Sequence, residues 1–132
     1  VSSTASLRPV GSSIPYCASK GALNNLTISL ARVLAPKIRV NAVNPGPVET
    51  GLMRGLFEHI AKRRGLSVDE VVGAHVDSIP LKLGRIAEPR EVTNVVLFLA
   101  SDRASFVNGV SVNIDGGQMK PVLARRVYST PR

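Results

Sequence analysis

The sequence predicts an α/β fold: the C-terminal half of a doubly wound parallel sheet, with three strands, crossover helices and a helical insert. Helical and strand patterns alternate along the chain, as expected when parallel strands are joined by crossover helices. Two of the strand patterns end at turns rich in Pro and Gly. A parallel sheet needs cover on both faces and is usually wider than three strands, so we expect half of a larger sheet.

The clearest helix is predicted over residues 16–34. Its apolar side chains recur every three or four residues and form one stripe: Leu23, Leu26, Leu30 and Val33. Ala35-Pro36 ends the pattern, because proline cannot continue a helix. Before this helix, residues 1–3 are expected to be the end of a strand and residues 4–15 a loop.

Two further strands flank another predicted helix. The first alternates Ile38, Val40 and Ala42 with polar residues and ends at the turn Asn44-Pro45-Gly46-Pro47. The last alternates Val110, Val112 and Ile114 with polar residues and ends at Asp115-Gly116-Gly117. Between them, Pro89 opens a helix that is expected to end near Ser101.

Residues 49–83 form a predicted helical insert between these elements. Five apolar side chains of its first helix share one face: Leu52, Met53, Leu56, Phe57 and Ile60. Ser67 and Glu70 have the spacing of a capping box, which predicts the start of a second, short helix.

The composition fits one globular domain, with 44% apolar and 20% charged residues. No apolar stretch approaches the roughly 18 residues of a membrane-spanning helix, so we expect neither a membrane segment nor a signal peptide. The single cysteine, Cys17, has no partner for an internal disulfide, which indicates a reducing, cytoplasmic setting. The chain does not begin with Met, and we expect it to be part of a longer protein.

The net charge of +8 admits nucleic acid, an anionic membrane or a phosphorylated ligand as a partner. The basic residues form short, scattered groups, and with 4% aromatic residues a stacking surface for bases is poorly supplied. We therefore expect neither a nucleic-acid nor a membrane partner. We interpret the charge as a solvated basic surface, or as half of a larger domain whose other half is more acidic. His59 and His75 lack the spacing of metal ligands and are expected to be exposed.

Tyr16 and Lys20 are the strongest candidates for chemistry. They lie four residues apart at the start of the best-defined helix, so they project from one face. A phenol is a poor acid or base at neutral pH, but a neighbouring ammonium group stabilises its phenolate form. Such a tyrosine can transfer protons.

Three other segments stand in a fixed order around this pair. Ser3 precedes Tyr16 by thirteen residues, Asn44-Pro45-Gly46-Pro47-Val48-Glu49-Thr50 follows the next strand, and Asp115-Gly116-Gly117 closes the last strand. With these four segments the chain resembles the short-chain dehydrogenase/reductase family over residues 1–119, in the C-terminal part of its Rossmann-like domain. The resemblance implies that residues 49–83 are a substrate-binding lid, and it leaves residues 120–132 as a basic tail.

The resemblance also implies roles for single residues. Tyr16 would exchange a proton with the substrate alcohol or carbonyl while hydride passes to or from NAD or NADP. Lys20 would assist Tyr16 and bind the nicotinamide ribose, and Ser3 would stabilise the substrate oxygen, with Ser2 as an alternative. The positions that would lie against the nicotinamide are Pro45, Gly46, Val48 and Thr50.

Family members are usually dimers or tetramers, so a homo-oligomer is expected. They are about twice as long, and their first half carries the Gly-rich turn that binds the pyrophosphate. We expect that half to be missing here, and hence the isolated chain to be inactive. The alternative hypothesis is a truncated, non-catalytic protein of this type that acts by binding a subunit or another partner.

Overall fold

The computed structural model describes residues 1–8 and 11–119; the predicted basic tail, residues 120–132, lies outside this part. In chain order the described elements are a 3-10 helix (Thr4–Ser6), α1 (Ile14–Leu34), β1 (Ala42–Pro45), α2 (Gly51–Arg64), α3 (Val68–Ser78), α4 (Pro89–Ala100), a second 3-10 helix (Asp102–Ala104) and β2 (Ser111–Ile114). The predicted alternation of helices and strands is confirmed. None of the helices in the described residues is long and apolar enough to cross a membrane.

The sheet contains two parallel strands in the described residues, with Ala42 opposite Ser111 and Pro45 opposite Ile114. The prediction of three strands is wrong here. The amide of Ser2 does donate a hydrogen bond to the Val43 carbonyl, at 2.8 Å. However, Ser3 already caps the Thr4–Ser6 3-10 helix, so too few extended residues precede it for a strand.

The first strand begins four residues later than the sequence pattern suggests, at Ala42 instead of Ile38. Two residues of the expected strand, Arg39 and Val40, bind instead to the end of α4 and to the loop that precedes β2. Val40 receives a hydrogen bond from the Gly109 amide, and the Arg39 guanidinium donates to the carbonyls of Leu99, Ser101 and Val107, at 2.8, 3.0 and 3.1 Å respectively. The Arg39 guanidinium thus caps the C-terminal end of α4, where carbonyls without a helical partner favour a positive charge.

Helix α1 packs through small residues and not through its apolar stripe. Thr27 and Ala31 are its buried residues. The loop before β2 approaches them closely: a Cβ added to Gly109 would lie 3.3 Å from the Ala31 Cβ. The side chains of the predicted stripe stay largely exposed in the described structure, and Val33 is 78% exposed.

The insert has an apolar core of its own between α2 and α3. Phe57, Ala61, Val71 and Ile86 form this core, with Met53 and Ile60 packed beside them. The predicted apolar face of α2 is therefore only partly confirmed. Leu52, which is 88% exposed, lies on the neighbouring stripe of the helix.

The start of α3 is the predicted capping box. The Ser67 amide donates to the Glu70 carboxylate at 2.7 Å, and the Glu70 amide donates to the Ser67 hydroxyl at 3.2 Å. The hydrogen bonds from Ser67 hold the pKa of Glu70 below its ordinary value. His75 of the same helix was expected to be exposed, but it is half-buried because its ring packs against Phe57, with centroids 5.2 Å apart.

Main-chain hydrogen bonds join both ends of the insert to neighbouring segments. At the first end, Val48 and Ala87 form a parallel bridge in which the Glu49 amide donates to the Ala87 carbonyl at 2.8 Å. At the second end, the amides of Lys82 and Leu83 donate to the carbonyl of Gly116, which follows β2, at 2.7 and 3.1 Å. Both ends of the insert therefore lie near the carboxyl ends of β1 and β2.

Glu91 in the first turn of α4 generates a pH dependence. Its carboxylate accepts two hydrogen bonds from Arg85, at 2.6 and 2.7 Å, and one from the Glu88 amide, at 2.8 Å. These contacts, Arg85 first, lower the pKa of Glu91 from its ordinary 4.5 to about 2. A depressed carboxyl pKa stabilises the fold above the ordinary value, and this stabilisation is lost as the pH falls through the lowered one.

We expect Glu91→Gln to lower the urea concentration at the unfolding midpoint. The decrease should be largest above about pH 4.5, where the native carboxylate is ionised. The difference from wild type should shrink as the pH falls toward about 2. Urea unfolding at several pH values between these limits measures it. A midpoint difference that does not change with pH would contradict this assignment.

Candidate active site

Ser3 lies where the extended N-terminal residues turn into the Thr4–Ser6 3-10 helix. Its hydroxyl accepts a hydrogen bond from the Ala5 amide at 3.2 Å and caps this turn. Because the hydroxyl accepts there, its own proton remains available for a donor contact. The residue is half-buried, so this proton can face a ligand.

Tyr16 and Lys20 lie one turn apart on α1, as the spacing predicted. Pro15 in the first turn suits the helix start, since proline there loses no helical hydrogen bond. The Lys20 ammonium lies 5.5 Å from the centre of the Tyr16 ring and donates to the Val1 carbonyl at 3.1 Å. Tyr16 is 41% exposed, so its phenol remains accessible.

The structure distinguishes Ser3 from Ser2. Ser2 is 4% exposed, and its hydroxyl donates to the Lys20 carbonyl at 3.2 Å. A hydroxyl has one proton, which Ser2 spends on this contact. Among the described contacts the Ser3 hydroxyl donates no hydrogen bond, whereas Ser2 joins the N-terminal segment to the helix that carries Tyr16 and Lys20.

The Pro45–Gly46 turn and the residues after it lie at the carboxyl end of the sheet. Gly46 donates from its amide to the Ile114 carbonyl at 2.9 Å, which brings the turn against Asp115. Val48 forms the bridge to Ala87. Thr50 is the N-cap of α2, where its hydroxyl accepts from the Met53 amide at 3.3 Å and keeps a proton to donate.

These segments converge on one edge of the sheet. Ser2 donates its amide to Val43 in β1, and β1 leads directly into Pro45 and Gly46. Ser3, the Tyr16 and Lys20 pair, and the Pro45 to Thr50 segment are thus linked through shared neighbours. The described contacts do not join Ser3 and Tyr16 directly. Among the residues the structure describes, no cluster of His, Cys, Asp or Glu could hold a metal ion.

Sequence reasoning missed the burial of Gln118, which follows the last strand. It is 5% exposed. Its side-chain oxygen accepts a 3.5 Å contact from the Thr4 hydroxyl, and its carbonyl accepts from Arg8 at 3.0 Å. No local pattern signals this burial, because Thr4 and Arg8 lie at the other end of the chain. Gln118 also packs beside Gly46, since its side-chain oxygen would lie 3.2 Å from a Cβ at that position.

The sequence profile of the family described as Enoyl-(Acyl carrier protein) reductase matches residues 1–119. The chain belongs to the short-chain dehydrogenase/reductase family. L-xylulose reductase of Bos taurus is 42% identical over 118 residues, which cover 89% of this chain and 44% of that protein. The 3alpha-hydroxysteroid dehydrogenase of Mediterraneibacter gnavus is 44% identical over 102 residues, covering 76% of this chain and 36% of that protein.

Solved structures of the short-chain dehydrogenase/reductase family match the fold as well. A short chain dehydrogenase family protein from Francisella tularensis superposes with a TM-score of 0.79 at 41% identity, over 89% of this chain and 48% of that one. L-sorbose reductase from Gluconobacter frateurii, complexed with NADPH and L-sorbose, gives 0.84 at 28% identity, over 92% and 46%. The chain thus spans about half the length of its relatives.

Gly46 lies close to Asp115 and Gln118 at the carboxyl end of the sheet. A Cβ at this position would lie 3.0 Å from the Asp115 Cα and 3.2 Å from the Gln118 side-chain oxygen. We expect Gly46→Ala to lower the free energy of unfolding by about 1–3 kcal/mol, because main chain must move to admit the methyl group. In contrast, Gly55→Ala in α2 meets open space and should stabilise by up to about 1 kcal/mol.

Urea unfolding of both variants measures the two effects. Gly55→Ala is the matched control, since it adds the same methyl group to a glycine away from the turn. Equal unfolding free energies for the two variants would contradict the close approach at Gly46.

Proposed function

We propose that the complete protein is an NAD(P)(H)-dependent oxidoreductase that transfers hydride between the nicotinamide and an alcohol or carbonyl substrate. The observation that carries the proposal is the placement of Lys20. Its ammonium lies beside the Tyr16 ring and also contacts the segment that leads into Ser3. Lys20 therefore links Tyr16, the candidate proton donor, to the N-terminal segment that carries Ser3, the candidate residue for binding the substrate oxygen.

Each residue supplies one part of this chemistry. Tyr16 donates its phenolic proton to a carbonyl oxygen during reduction and takes it back during oxidation. Lys20 favours the phenolate form that arises, because an ammonium group attracts a developing negative charge. Ser3 donates its free hydroxyl proton to the same substrate oxygen and stabilises charge there.

The donors of this site fit the nicotinamide half of a dinucleotide. Lys20 has three N–H donors and spends one on Val1, which leaves two for ribose hydroxyls. Thr50 keeps a proton for the carboxamide or pyrophosphate, and Pro45, Gly46 and Val48 supply the close backbone surface between them. When bound, the nicotinamide donates or accepts the hydride. NADPH is the cofactor named in the L-sorbose reductase complex, which supports this assignment.

The α2–α3 insert is proposed to cover the substrate. Its two ends lie near the carboxyl ends of the strands, and its helices α2 and α3 pack on an apolar core with Ile86. Relatives are named for L-xylulose, L-sorbose and a 3alpha-hydroxysteroid, and these names share an alcohol or carbonyl as the reacting group. The insert would select among such substrates.

Tyr16→Phe in the complete protein tests the reaction. The substitution removes only the titratable hydroxyl, so we expect kcat to fall by about a hundredfold or more. The melting temperature should stay near that of wild type, because the substitution keeps the aromatic ring and Tyr16 is 41% exposed. Initial rates with either NADH or NADPH, together with thermal unfolding, measure both quantities.

Ser29→Ala is the matched control, because it removes an exposed hydroxyl from the same helix. Its rate should equal that of wild type. Full activity of Tyr16→Phe would contradict the assignment of the acid/base. A folded complete protein that neither binds the cofactor nor turns over would favour the non-catalytic alternative, in which the chain acts by partner binding.

A homo-oligomer is the second part of the proposal. Helix α1 exposes the apolar side chains Leu26, Leu30 and Val33, and such a stripe favours burial against protein. We expect a dimer or tetramer in light scattering of the complete protein. Leu30→Glu with Val33→Glu should shift it toward the monomer. A monomeric wild-type protein would contradict this part.

A further inference from the structure

We propose that Asn24 is a positioning residue that acts through Ser6 to hold the Ser3 loop against the catalytic face of α1. The inference rests on the proposed function, since it concerns the placement of Ser3 relative to Tyr16 and Lys20. Neither Asn24 nor Ser6 belongs to the four segments that define the resemblance to the family.

A directed chain of hydrogen bonds carries the inference. The Asn24 side-chain amide donates to the Ser6 hydroxyl at 2.7 Å, and that hydroxyl donates to the Ser3 carbonyl at 2.5 Å. The Ser6 hydroxyl has a single proton, which it uses on Ser3, so it must accept from Asn24. The contact therefore requires the nitrogen of Asn24; a carboxylate in its place could bind Ser6 only by accepting the proton that Ser6 donates to Ser3.

The positions along α1 explain why this chain of hydrogen bonds affects the site. Tyr16, Lys20 and Asn24 are spaced by four residues, so they lie on one side of the helix in consecutive turns. Ser2 binds the helix at Lys20, and Ser6 binds it one turn further at Asn24. Ser3 thus lies between two attachments to the same helix. Loss of the Asn24 attachment removes the side-chain hydrogen bond that holds the C-terminal side of the Ser3 loop to α1.

The oxygen of the Asn24 side-chain amide also supports a fixed orientation of this side chain. This oxygen is buried and has no hydrogen-bond partner among the described residues. An unpaired buried acceptor is unfavourable, and a side chain without a fixed contact would turn this atom to solvent. The hydrogen bond to Ser6 therefore decides the orientation of the amide.

Asn24→Asp in the complete protein tests the inference. The substitution keeps the shape and removes the donor, so Ser6 either loses its contact with α1 or gives up its hydroxyl bond to the Ser3 carbonyl. We expect kcat with a carbonyl substrate to fall about tenfold, because small displacements of a positioning group slow the reaction. The KM for the nicotinamide cofactor should stay within about twofold of wild type, since the residues proposed to bind it are not displaced. This split separates a positioning effect from a general loss of structure, which would raise the cofactor KM as well.

Asn25→Asp is the matched control. It introduces the same charge at the next position of α1, where the side chain is exposed. Its kcat and both KM values should equal those of wild type. Equal kcat values for Asn24→Asp and Asn25→Asp would overturn the inference.

A double-mutant cycle with Ser6→Ala gives an independent test. Asn24 and Ser6 act in one chain, so the double variant should lose about as much rate as either single variant. Rate losses that multiply would overturn the inference. A wild-type protein without turnover would instead overturn the proposed function, and with it the role of Ser3. The two failures are therefore distinguishable.

Discussion

The two hydrogen bonds of Ser2 join the sheet to the helix on which the candidate chemistry depends. The Ser2 amide donates to Val43 in β1, and its hydroxyl donates to the Lys20 carbonyl in α1. Ser2 is buried, so these polar groups have to be paired within the protein. The arrangement fixes the carboxyl end of β1 relative to the turn of α1 that carries Tyr16 and Lys20. The position of Ser3 follows, because it is the next residue in the chain.

The insert follows a different physical rule from the rest of the structure. Its apolar core lies mainly between its own two helices, with Ile86 added from the segment that follows, while main-chain hydrogen bonds to Ala87 and Gly116 join its ends to neighbouring segments. Such an insert can keep its internal packing while the sequence of its exposed face changes. The scaffold of the site and the surface proposed to select the substrate are therefore stabilised separately.

The excess of basic residues has a partly structural explanation. The Arg39 guanidinium binds the carbonyls at the end of α4, and Arg8 binds the Gln118 carbonyl. Three more arginines pair with glutamates: Arg54, Arg85 and Arg90. Part of the positive charge is thus used to satisfy main-chain acceptors and carboxylates of the same chain.

Sequence patterns alone predict the helices α1 to α4, the insert with its capping box, the last strand, and the pairing of Tyr16 with Lys20. These features depend on periodicity, caps and spacings of four residues, all of which act within a few positions of the chain. The burial of Ser2 and its hydrogen bond to Lys20 required the tertiary structure, because Lys20 lies eighteen residues away. The same holds for the absence of a third strand in the described residues, the exposure of the apolar stripe on α1, and the burial of Gln118. Each is decided by contacts between distant segments, and no local pattern records which distant group a side chain will meet.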